Sequence, residues 1–319
     1  MKQLNNKATK TSVIIITRNR EKMLSGCLES LVKQTRLPDE VVVVDNASTD
    51  NTKKVVLSFK KKLPIKYFLE EKVGIPFARN KGLQHTTGAL ILMLDDDCSA
   101  DSSWVEKMID VHKKYPKAWV VQGRTLSLPK KQLYSLAVEF SRLLYIHNYA
   151  EKVTSVKSFL RIYFTDEIKI LMCETENFSI KTPYLKKFKL SFDTNFYQGE
   201  DKDLARQIMQ KNGLIMFCPE IKVYHYERST LLEFLKQQWQ IGKANAKIEK
   251  KWGKSPTEAH SKWSEKPLYI ILFCKAFNVN LLKMPMFILI LFLDKFYRLN
   301  GYFFEKSILA FGKRKGSLF

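Results

Sequence analysis

Three adjacent carboxylates, Asp95, Asp96 and Asp97, close the segment GALILMLDDD directly after an apolar run over residues 89–94. Such a run reads as a buried strand that delivers acids to its carboxyl end, the edge at which ligands bind in open α/β sheets. In an extended segment Asp95 and Asp97 point to one side and Asp96 to the other, so the first and third acids can share a ligand. Left unpaired, the three would repel one another. Oxygen-rich sites suit hard divalent cations, and Mg²⁺ or Mn²⁺ would bridge these acids to a substrate's phosphates. A solvated acidic turn after a strand is the plainer alternative.

Four other segments carry candidate groups. VVVVDNASTDNT puts Asp45 at the end of an apolar run and Asp50 near a helix start, where an acid accepts hydrogen bonds from a base or ribose, or caps the helix. GIPFARNKGLQHTTG (74–88) places Arg79 and Asn80 on a helix leading into the acid strand, positioned to face a diphosphate. GEDKDL (199–204) sets Glu200 and Asp201 at a helix N-terminus, where the helix dipole alone also favours acids. VYHYERS (223–229) sets His225 after a late strand, where a lone histidine can equally be structural.

These residues need a scaffold that gathers strand ends. SVIIIT (12–17), EVVVVD (40–45), IKYFLE (65–70), ALILML (89–94) and AWVVQG (118–123) read as strands, with helices near 20–35, 51–61, 76–87 and 101–115 between them. That order predicts an α/β fold, a mostly parallel sheet with helices on both faces. The segment after the first strand, TRNRE, has no GxGxxG for a pyrophosphate, which argues against a dinucleotide-binding Rossmann domain. Residues 131–172 read as a less regular insertion with an amphipathic helix over 131–146. Strand signals return at 176–180, 214–218 and 221–226; a helix, DLARQIMQKNG, ends at Gly213, and another covers 229–250.

Taken in order, VIIITRNR, VVVVDNASTD, ARNKG, LDDD, ENFSIK and FDTNFYQGED resemble a family 2 glycosyltransferase of the GT-A fold, over about residues 11–226. The resemblance implies that Thr17 and Asp45 contact the donor's base, that Asp95 lies near the ribose, and that Arg79 and Asp96 complete the donor-binding set. It implies further that Asp97 holds the divalent cation, that His225 is an additional metal ligand, and that Asp201 is the general base of an inverting transfer. The cation stabilises the departing nucleoside diphosphate, so one base suffices, unlike the paired carboxylates of a glycosidase. The family's processive members carry QxxRW on a late helix. Here KQQWQIGKANAK (236–247) has no Arg before Trp239, which favours single addition.

The 319 residues carry 45% hydrophobic residues, enough for a substantial core, and a net charge of +22. That charge calls for an anionic partner or environment, such as nucleic acid, anionic lipid or a phosphorylated substrate. With 43 Lys against 11 Arg, diffuse attraction fits better than base readout. Five cysteines without a CxxC pair suggest neither a disulfide framework nor a zinc site, and fit a reducing cytoplasm. The apolar run 13–16 is too short for a signal-peptide core. LYIILFCKAF (268–277) and MPMFILILFLDKF (284–296) are too short and too charged to span a bilayer, and their aromatic and KRK flanks suit an interfacial location; buried helices or a dimer contact would also account for them.

The expected layout is therefore a catalytic domain over 1–226, its donor half at about 11–124 and its acceptor half at about 125–226, then a helix and linker (227–266) and a membrane-associating helical tail (267–319). The expected partners are a nucleotide-sugar donor, a lipid-linked or cell-envelope glycan acceptor and the cytoplasmic side of a membrane, and not nucleic acid. Two rivals stand beside this reading. A nucleotidyltransferase would need a Gly-rich, Lys-containing loop near the first strand, which TRNRE lacks. A basic nucleic-acid-binding protein would need a recognisable motif, and the lysines are scattered instead.

Overall fold

The structure, a computed structural model, describes residues 9–128, 133–150, 161–162, 164–227, 230–254, 266–277 and 279–315. The first two positions of the helix expected at 131–146, much of the insertion after it and the linker at 255–265 lie outside them. Val- and Ile-rich runs, which pack well on a pleated surface, form β1 (Thr11–Thr17), β2 (Glu40–Asp45), β3 (Ile65–Leu69) and β4 (Leu90–Leu94). They pair in parallel in the order β3-β2-β1-β4. The crossovers carry α1 (Glu21–Val32), α2 (Thr52–Ser58) and α3 (Ile75–His85).

Because helices cover both faces, the central strands are apolar at nearly every position. Val13, Ile15, Val41 and Val43 pack into one layer with Leu24, Leu28 and Leu31 of α1, and with Trp104 and Met108 of α4 (Trp104–Lys114). Ile14, Val42 and Val44 face the other layer, against Phe140 and Leu143 of α5 (Leu133–Tyr149) and Leu204 and Ile208 of α7 (Glu200–Gln210).

Beyond β4 the sheet is mixed, so the mostly parallel sheet expected has its unbroken parallel run in the first four strands. β8 (Asn177–Lys181) starts beside Leu94 and runs back antiparallel between β4 and β6 (Ala118–Leu128). β9 (Leu214–Tyr226) lies parallel to β6, with β5 (Cys98–Ala100) and β7 (Ile168–Ile170) antiparallel to it. The segments 214–218 and 221–226, expected as two strands, are this one strand with a register slip between Cys218 and Lys222. Pro219, which has no N–H to give to a ladder, sits inside the slip. A short α6 (Thr182–Lys187) follows β8. α7 ends earlier than Gly213: Lys211 caps it, and Asn212 takes the left-handed turn at φ 56°.

The C-terminal helices are α8 (Leu231–Trp252), α9 (Lys266–Ala276) and α10 (Met284–Lys315). Phe273 and Cys274 of α9 and Phe287 and Ile290 of α10 join the same core layer as α5, so the buried-helix alternative holds for their inner faces. α8 and α10 cross at backbone contact. A Cβ on Gly242 would lie 2.0 Å from the Arg298 carbonyl oxygen, and one on Gly301 would lie 2.1 Å from that of Trp239. Among the described residues, no helix is long and apolar enough to cross a membrane.

Candidate active site

Parallel register brings the chemistry-bearing residues to one edge. Thr17 ends β1 opposite Asp45 at the end of β2, and the acid cluster follows β4 on the other side of β1. Asp45 is buried and accepts hydrogen bonds from the Ser48 N–H (2.8 Å) and the Tyr67 hydroxyl (2.8 Å), which burial and this carboxylate push to a raised pKa. A cavity of about 220 Å³ lies beside these strand ends, lined by Thr17, Asn46, Arg79, Asp95, Asp96 and Tyr197. Asp45, expected to contact the donor's base, is not among the lining residues.

A second cavity, of about 320 Å³, opens on the other side of the acids and takes in Asp95, Asp97, Asp201 and His225. Asp95 and Asp97 thus share this space, although the chain between them is not the extended segment expected but a turn, closed by the Cys98 N–H on the Asp95 carbonyl (3.1 Å). Antiparallel pairing of β5 with β9 sets Cys98 opposite His225, and the Tyr226 N–H donates to the Asp97 carbonyl (2.9 Å). His225 Nε2 stands 3.4 Å from an Asp97 carboxylate oxygen, and its Nδ1 stands 3.1 Å from Glu227. Burial opposes a charge on His225, but Asp97 and Glu227 outweigh it and raise its pKa. Asp97, Cys98 and His225 each offer a ligand atom within 4.8 Å of the others. A carboxylate and an imidazole fit Mg²⁺ or Mn²⁺, and the carboxylate behind the imidazole is the usual support for a metal-bound histidine.

Charge balance around the acids comes from residues that the sequence reading did not single out. Arg20, just after β1, donates to Asp96 (2.9 Å) and Asp97 (2.6 Å) through one nitrogen. Arg142 on α5 pairs with Glu227 (2.8 Å) and Glu176 (3.2 Å). Burial would raise Glu227, but Arg142 and His225 hold it down at about 2. Burial, with Glu176 and Asp201 close by, raises the Glu174 carboxyl. Among these, TRNRE, with two arginines at a strand end, and ENFSIK, which begins at Glu176, carried a signal in the sequence.

Glu200 and Asp201 share the first turn of α7 and divide its roles. Glu200 is buried and bound to Arg79, which also reaches Asp95 (3.2 Å), so Arg79 ties the acid strand to α7. Burial raises Glu200 against the pull of that guanidinium. Asp201 accepts the Lys202 N–H (2.7 Å) and lines the larger cavity. Gly199 makes the turn possible: its φ is +87°, and a Cβ there would press to 3.1 Å from Ala244 on α8.

Residues 12–188 match the sequence profile described as Glycosyl transferase family 2. The chain belongs to that family. The curated relatives of this transferase include the validoxylamine A glucosyltransferase of Streptomyces hygroscopicus subsp. limoneus, 36% identical over 137 residues, which are 40% of this chain and 30% of that one. A second is the dolichyl N-acetyl-α-D-glucosaminyl phosphate 3-β-D-2,3-diacetamido-2,3-dideoxy-β-D-glucuronosyltransferase of Methanococcus voltae, 23% identical over 75% of this chain and 74% of that one. Among solved structures, Pyrobaculum calidifontis mannosyltransferase PcManGT with GDP-Man and Mn²⁺ superposes with a TM-score of 0.57, covering 98% of this chain and 82% of that one at 19% identity. Staphylococcus aureus TarS with UDP-GlcNAc gives 0.53, covering 95% and 92% at 19% identity. These structures share the GT-A fold with the transferase.

Proposed function

We propose that this glycosyltransferase is inverting and cation-dependent, and adds single sugars from a nucleotide-sugar donor to a lipid-linked or cell-envelope glycan at the cytoplasmic face of a membrane. The observation that carries the proposal is the presence of Asp97, His225 and Asp201 in one cavity beside the strand-end pocket. The strand-end pocket, with Thr17, Asn46 and Asp95, has the polar groups to receive a nucleoside. Asp97 and His225 would hold Mg²⁺ or Mn²⁺, whose chemistry at this place is to offset charge on a departing diphosphate. Asp201 takes the proton of the acceptor hydroxyl as that oxygen attacks the anomeric carbon from the face opposite the leaving group, which inverts the centre. With Glu200 engaged by Arg79 and Asp203 buried against Lys251 and Trp252, Asp201 is the acid of the α7 turn left to do this. Relatives support the acceptor class: the Methanococcus voltae enzyme's name specifies a dolichyl phosphate-linked sugar, and the name of TarS specifies poly(ribitol phosphate).

Calorimetric titration with UDP-GlcNAc and GDP-mannose, with Mn²⁺ or with EDTA, tests the reading. Binding to the wild type should require Mn²⁺, and Asp97→Ala should abolish that requirement together with most of the affinity while leaving the fold intact. Equal affinity in wild type and variant, with and without EDTA, overturns the metal assignment.

A further inference from the structure

The larger cavity runs away from the acids between α5 and α8, and its wall there is of another chemical kind. Gln238 on α8 is 2% exposed, and its amide oxygen has no hydrogen-bond partner among the described residues. The same holds for the amide oxygen of Gln198, just before the Gly199 turn, and for the Tyr145 hydroxyl on α5. All three residues line the cavity together with Asp201. Buried polar groups in folded proteins nearly always have partners, so three unpartnered ones around one cavity call for a ligand that supplies them.

The cations of this wall are already engaged. Arg142 is held by Glu176 and Glu227, Lys202 by the Asn245 amide oxygen at 2.7 Å, and Arg298 by Asp294 at 2.9 Å. A phosphate at Arg142 or Arg298 would have to break ion pairs, and at Lys202 it would displace a neutral amide, whereas a neutral hydroxyl would break no ion pair. A hydroxyl also suits a glutamine amide turned either way, because it both donates and accepts. Ile241 and Ala244, one and two turns along α8 from Gln238, add apolar ground for a ring face.

We propose that Gln198, Gln238 and Tyr145 form the acceptor subsite, which binds a neutral polyhydroxylated unit, a sugar ring or a polyol, and presents its hydroxyl to Asp201. This assignment rests on the glycosyltransferase reading of the site. The test is saturation-transfer NMR on the full chain with n-octyl β-D-glucopyranoside below its micelle concentration, with Mn²⁺-dependent binding of the nucleotide sugars measured in parallel. Saturation should reach the ring protons in the wild type and fall at least fivefold in Gln238→Met and in Gln198→Met, with nucleotide affinity unchanged. Tyr145→Phe, which removes only an oxygen, should fall less but measurably, and serves if a glutamine variant does not fold. Inorganic phosphate should not displace the glucoside. Absent ring saturation in the wild type, unchanged saturation in the folded variants, or displacement by phosphate overturns the subsite. If nucleotide binding persists in that case, the glycosyltransferase reading stands; if nucleotide binding is missing, that reading falls as well.

Discussion

Two neighbouring carboxylates at one helix start differ in that Glu200 is tied to Arg79 while Asp201 lines the larger cavity. Asp201→Asn should keep nucleotide affinity within a few-fold and lower sugar transfer by about 10²–10⁴, the usual contribution of a general base. Glu200→Gln should instead lower stability, because it leaves the Arg79 guanidinium buried with Asp95 as its remaining acid partner. Denaturant midpoints and transfer rates on both variants separate the two roles, and full turnover in the Asp201 variant would move the base elsewhere. His112 offers a pH test away from the site. It is buried against the Ser179 hydroxyl (2.9 Å), and burial pushes its pKa from 6.5 down to about 3. The unfolded chain therefore takes up the proton first as pH falls through that window, and the native state loses up to ~1.4 kcal/mol per pH unit. Urea unfolding at pH 7 and pH 5 should show His112→Gln losing less stability than the wild type on acidification, by about 2 kcal/mol. At this scale the strand-end acids were legible because they follow apolar runs, whereas His225, expected after a late strand, lies inside β9. Gln238, Arg142 and Glu227 were not legible, because their importance comes from neighbours far away in sequence.

At the scale of elements, β1 to β4 could be read directly because strands buried on both faces spell continuous apolar runs. α10 could not. Asp294 looked like an interruption, yet it turns inward to Arg298, and Glu305, a further acid on the same helix, lies within 4 Å of Lys243 and Lys247, so the helix continues for 32 residues. Its seam with α8 depends on two glycines with no room for a side chain. Gly242→Ala and Gly301→Ala should each cost about 1–3 kcal/mol by forcing the helices apart, since the obstructing atoms are backbone. Thermal unfolding checks the loss. An unchanged midpoint in both would mean that the seam relaxes freely.

For the whole molecule the question is what meets the far side of α10. Leu289, Phe292, Phe296, Leu299 and Phe303 are each more than two-fifths exposed and lie along the face opposite Phe287 and Ile290. Both acids of that helix are buried on the packed side, and its exposed Lys306 is paired with Glu249 of α8, so the outer face carries apolar groups and no free carboxylate. That combination, on a chain of net charge +22, complements an anionic bilayer surface. The full chain should float with phosphatidylcholine vesicles containing phosphatidylglycerol, and less with phosphatidylcholine alone. Phe292→Glu with Phe296→Glu should abolish flotation without lowering the unfolding midpoint, and part of the wild-type binding should survive high salt because apolar burial is not screened. Flotation unaffected by the double substitution would place the contact on another surface. The seam of α8 with α10 also bears on the order in which the enzyme can be made. Arg298, near the end of the chain, lines the same cavity as Asp95, so that cavity closes only when segments about two hundred residues apart meet. On the ribosome, the four parallel strands emerge and can pair while the opposite wall is still unsynthesised. A nascent chain can therefore pair the strands that carry Thr17, Asn46 and Asp95 before it has made α8 and α10, the helices that close the larger cavity.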